Sequence, residues 1–243
     1  MEFSIRRVSA LFKKEIKDVG KNKNVLLMGM LPILYSILYS KLNIGSELGG
    51  NVGKTDILIM CLDLSLVMVA FFVIALLIAE EKEKNTLRTL MLSAVTPWEF
   101  LAGKVLITFF MSEIINVAMF FIVGIDAKYL GIYILLTTLV IFSIIELGAL
   151  VGIIAPDQMS TGVIGMPVAM ILLLIPMLAK SNETLTKIAE FMPNYNMDLM
   201  LEKVFKGETI GAESAYSIFI ILGWILIIVI AFAYCYKKRA LGK

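Results

Sequence analysis

Histidine is absent from all 243 residues, which removes the commonest general base and the commonest metal ligand. Cysteine occurs twice, at Cys61 and Cys235, each inside an apolar run, and no C-x-x-C spacing exists to hold a metal. Two such distant thiols read as reduced apolar residues. Without histidine there is no H-E-x-x-H, and no G-x-S-x-G elbow occurs either. No catalytic, cofactor-binding or metal site is therefore expected in this chain. Charge is scarce too: 17% of residues are Asp, Glu, Lys or Arg, against about 25% in soluble domains. The net charge of +2 says little, and no nucleic-acid partner is expected. Gly49-Gly50-Asn51-Val52-Gly53-Lys54-Thr55 imitates a phosphate-binding loop, but the required first glycine is Leu48 and no strand precedes it.

Apolar residues fill the space that charge leaves. Hydrophobic residues make up 59% of the chain and the mean hydropathy is +0.90, more than a soluble chain of this size can hide. About 20 apolar residues cross a bilayer as a helix. Six windows qualify, at 25–42, 57–79, 104–124, 129–155, 162–179 and 216–236. Pro167 and Pro176 are expected to kink or break the fifth. Asp63 falls in the second, within the span or at its outer end. The first apolar run begins only near Val25, after a charged segment and with no small-residue cleavage site, so it is expected to be retained.

Orientation follows the lysines and arginines. The N-terminal segment, the 80–104 loop and the C-terminal tail carry 15 of them, and the opposite loops 7. Both termini are thus expected in the cytoplasm, as an even number of spans requires. Before the first span, Ile5, Val8, Phe12, Ile16 and Val19 recur at helical spacing with basic residues mostly opposite, the pattern of an interfacial helix over residues 1–24.

Residues 80–103 are too charged for lipid and too patterned for a passive loop. Leu87, Leu90 and Met91 share a helical face. Thr96, Pro97 and Glu99 then give a capping box that restarts a helix. Residues 181–215 form a second long connection, placed on the outer side and long enough for short helices. Within the spans, Glu113 and Glu146 are expected near one depth, with Asn116 on the face of Glu113 and Ser143 on that of Glu146. Two roles stay open for these acids. They are protonated hydrogen-bond partners between helices, or polar points on a cavity wall.

Glu81-Lys82-Glu83-Lys84-Asn85-Thr86-Leu87, then Leu90, then Glu99 and Gly103-Lys104, resembles the coupling segment of ABC-2 type permeases. Asn85 replaces the family's usual Gly, and Ala94 its usual Pro. The resemblance extends to the layout of an amphipathic helix, six spans, a coupling helix after span two and outer helices before span six. It implies an all-α membrane protein of one transmembrane domain, residues 1–243, in a bacterial cytoplasmic membrane. It also implies a half-transporter that pairs with a second permease subunit, identical or not, and docks two copies of a separate ATPase that binds the ATP and Mg. The implied docking residues are Glu81, Glu83, Thr86, Leu87, Leu90, Trp98 and Glu99. With no large outer domain to capture a substrate, export is the expected direction, of an amphipathic, toxin or antimicrobial peptide. Drug or lipid export, or an ion-gradient secondary transporter, are the alternatives.

Overall fold

The computed structural model describes residues 4–41, 53–84, 86, 96–208, 211 and 214–240. These residues are helical, with no strand among them. The helices are α1 (Ile5–Val19), α2 (Lys23–Lys41), α3 (Lys54–Glu83), α4 (Pro97–Val123), α5 (Leu130–Ile154), α6 (Gln158–Ala179), α7 (Glu183–Ala189), α8 (Pro193–Phe205) and α9 (Ala215–Ala240). Six of them, α2 to α6 and α9, are long and apolar enough to cross a membrane. The protein is an all-α, multi-pass membrane protein.

Helix α3 is the centre of the bundle. Its most apolar stretch is 83% buried, against 22% for α2 and for α9. It contains one π-helical turn, Leu66–Phe71, and beside that turn α5 comes into backbone contact. The approach depends on two glycines one turn apart. A Cβ on Gly148 would lie 2.2 Å from the Phe71 carbonyl oxygen, and one on Gly152 would lie 2.8 Å from that of Ala75. Small residues four apart allow this kind of close packing in lipid, where helices gain little from burying apolar surface against each other.

Local chemistry sets the helix ends. At α4, Thr96 Oγ1 accepts the Glu99 N–H at 3.3 Å while Glu99 Oε2 accepts the Thr96 N–H at 2.8 Å. That is the capping box expected from the sequence. The third span and the segment that leads into it are thus one helix, ended by Gly124 in the left-handed region (φ 76°). The fifth span is not broken: α6 runs continuously through Pro167 and Pro176. Proline 176 supplies no N–H to the carbonyl of Leu172, and Asn194 of α8 donates to that oxygen instead, at 2.9 Å.

Helix α1 packs on α4. Val8 and Val19 of the expected stripe are buried, whereas Ile5 and Ile16 are exposed; Leu11 and Glu15 occupy the remaining buried positions. The face in contact is therefore rotated from the one apolarity marks, because it carries an acid that pairs within the protein.

Candidate functional site

The last turn of α3 carries Glu80, Glu81, Lys82 and Glu83, at the end of the bundle where α1 lies. The side chains of this charged turn reach outward to several neighbouring elements. Asn22, between α1 and α2, donates to Glu80 at 3.1 Å. Glu81 pairs with Lys14 of α1 at 2.7 Å and with Lys104 of α4 at 3.4 Å. Lys82 donates to the Ile153 carbonyl at 2.7 Å and also to that of Ala155. These carbonyls close α5, where a helix leaves its last acceptors unsatisfied. Glu83 accepts the backbone N–H of Gln158 at 3.2 Å, at the positive end of α6. One turn thus ties α3 to α1, α4, α5 and α6.

Two further ties fix α1 to α4. The Arg7 guanidinium pairs with Glu99 at 2.8 Å, and the Ser4 N–H donates to the same carboxylate. Lys104, 2% exposed, reaches both carboxylate oxygens of Glu15, at 3.0 and 3.1 Å. Its ammonium also lies 5.2 Å from the centre of the Phe100 ring. Burial pushes the Glu15 carboxyl above its ordinary range, while the Lys104 charge pulls the other way. Gly103 lets the helices meet here, since a Cβ on it would stand 3.0 Å from Leu11 Cβ. A cavity of about 380 Å³, lined by Lys14, Glu15, Glu80, Glu81, Lys84 and Lys104, opens beside the network.

Of the expected docking residues, Glu81 and Glu99 are buried and bonded within the chain, and the Thr86 hydroxyl donates to Glu81. Glu83 is exposed. Trp98 is half exposed, with Phe232 of α9 at 6.3 Å between ring centres. Leu87 and Leu90 lie outside the described residues. Lys104, which the sequence marks only as the end of the motif and as a loop charge, is the residue whose place in this network was not anticipated. Its position two turns inside a helix capped at Thr96 was the available signal.

Glu113 and Glu146 are not at one depth. Glu113 accepts from Thr137 and Thr138 of α5, at 3.0 and 2.8 Å. Thr137 lies nine residues before Glu146, or about 14 Å along the helix. The turn joining α4 to α5 sets this register, and counting inward from the opposite, charged end of α4 misplaces Glu113. Asn116, on the neighbouring face, accepts from Ser65 of α3 at 2.7 Å. Glu146 Oε2 is buried with no partner among the described residues, and Ser143 bonds its own helix at the Val140 carbonyl instead.

No curated protein matches the chain. A family model described as "ABC-2 family transporter protein" matches residues 9–234, nearly the whole length, including the last turn of α3 and Lys104. The family is a membrane component that works with an ABC ATPase and is not itself the ATPase. The six spans and this match together place the chain in the ABC-2 family, as a transporter permease.

Proposed function

We propose that this permease is an exporter half in which the segment from Glu81 to Glu99 receives the movement of a separate ATPase. One observation carries the reading: the last turn of α3 is fastened to four other helices at once. A displacement delivered to the adjoining 84–99 segment reaches α1, α4, α5 and α6 together, so it moves a body instead of bending one helix. Leu87, Leu90 and the exposed Trp98 supply apolar anchors for a groove on the ATPase, with Glu83 and Lys84 at the rim. ATP and Mg belong to that partner, present in two copies around a pair of permeases.

Outward movement of an amphipathic peptide is the reading for direction and cargo. At the far end the described residues form a short turn and the packed helices α7 and α8, which suits release better than capture. The test reconstitutes the permease with its ATPase and compares wild type with Leu87→Asp and Leu90→Asp. An unpaired charge in an apolar seat costs roughly 3–5 kcal/mol, so both variants should lose substrate-stimulated ATP hydrolysis and transport while remaining folded. Wild-type stimulation and transport in both would remove this segment from the mechanism.

A further inference from the structure

The far end of the bundle holds a pair of acids that the coupling reading does not use. Asp63 of α3 and Asp198 of α8 lie with their carboxyl groups in hydrogen-bonding contact, and they are 9% and 6% exposed. Asp63 is nine residues into α3, about 14 Å from its first residue. Asn194 precedes Asp198 by one turn and shares its face. Its Nδ2 donates to Asp63 Oδ1 and to the Leu172 carbonyl, both at 2.9 Å. With both donors of Asn194 engaged, acceptors are left over. Asp198 Oδ1 and Asn194 Oδ1 are buried with no partner among the described residues.

The surroundings do not neutralise the pair. Tyr195 and Glu202 lie near Asp198 on α8 itself, Lys180 closes α6, and Asp56, in the first turn of α3, lies near Lys180. In sequence, Glu146 is the only charged residue of α5, and α9 carries none before Lys237. Lys180 is taken up by Glu202, at 2.5 Å, and its side chain is 62% exposed. Two carboxylates in contact, away from water, cannot both stay charged unless something positive lies between them. The orphaned oxygens of Asp198 and Asn194 are the groups such a charge would satisfy.

We propose that Asp63, Asp198 and Asn194 form a binding site for one monovalent cation, a proton or a sodium-sized ion, whose occupancy fastens α8 onto α3 and α6. A proton bridges the two carboxyls. A sodium ion instead draws on the carboxylates and the free amide oxygen. In either case the empty site carries two like charges in contact, and α8 loosens. The proposal concerns the far end and does not depend on how the ATPase docks.

The test is hydrogen exchange of residues 193–205 in the full chain in lipid nanodiscs, corrected for intrinsic exchange and followed from acid to alkaline pH without sodium. Protection should fall about tenfold or more as the site empties, since one pH unit changes a proton's occupancy that steeply. Sodium chloride that restores protection at alkaline pH identifies a sodium ion, and failure to restore it identifies a proton. Protection that stays constant across pH, with and without sodium, overturns the proposal. Asp198→Asn, a neutral isostere, should abolish the dependence on both, and Asp63→Asn serves if that variant does not fold. A folded variant that still loses protection at alkaline pH also overturns it.

Discussion

At the scale of single residues, the junction at the α1 end turns on Lys104. Its partners are 89 and 23 residues away in the chain, so no local pattern announces them, and neither the motif nor a count of loop charges names them. Removing it leaves Glu15 and Glu81 buried beside each other. Breaking a buried pair from one side costs about 3–5 kcal/mol, and Lys104→Met should show a loss of that order in thermal unfolding in detergent. Glu15→Gln should cost less, because burial already raises the carboxyl's pKa. The sign follows from that shift. A carboxyl that titrates higher folded than unfolded favours the fold below its unfolded pKa, and that contribution is lost as pH rises through the raised value. Glu15→Gln should therefore flatten the pH dependence of stability on the acid side. Equal losses in the two variants would contradict this asymmetry.

Elements were more legible than contacts. Apolar runs gave the six spans, and Thr96-Pro97-Glu99 gave the start of α4, because a capping box satisfies orphan N–H groups within four residues of chain. The contact faces were not legible in the same way. Apolarity turned the stripe of α1 toward Ile5 and Ile16, whereas the observed face uses Glu15. Likewise, in a helix as uniformly apolar as α5 no periodicity singles out the side that meets α3. Two glycines mark that side, and they permit a sharp test. Gly148→Ala places a methyl 2.2 Å from the Phe71 carbonyl oxygen, where backbone must move, while Gly131→Ala and Gly223→Ala meet nothing within 4 Å. Overpacking costs roughly 1–3 kcal/mol. Gly148→Ala should lower the yield of folded protein and its melting temperature, and the two controls should match wild type. A wild-type melting temperature for Gly148→Ala would mean that α3 and α5 do not approach this closely.

At the scale of the whole molecule, the distribution of basic residues decides which end faces the cytoplasm. The charged last turn of α3, α1 and the start of α4 gather at one end, and α7 and α8 lie at the other. By sequence, 15 of the chain's 22 lysines and arginines fall in the N-terminal segment, the 80–104 segment and the C-terminal tail. Basic residues close to span ends orient a membrane protein, whereas acids count for little. The internal pairing of Lys14 and Lys104 therefore does not weaken the signal, which acts during insertion, before those pairs form. The α1 end should be cytoplasmic, on the side where an ATPase and its ATP are found. Lys84 and Asn182 are both exposed, at opposite ends of the bundle, and so report the two sides. In a background with Cys61 and Cys235 replaced, a cysteine at position 182 should react in intact cells with a reagent that cannot cross the membrane. A cysteine at position 84 should react only after the membrane is opened. Labelling at 84 but not at 182 in intact cells would invert the molecule and put the Glu81–Glu99 segment out of reach of any cytoplasmic ATPase, so orientation and coupling stand or fall together.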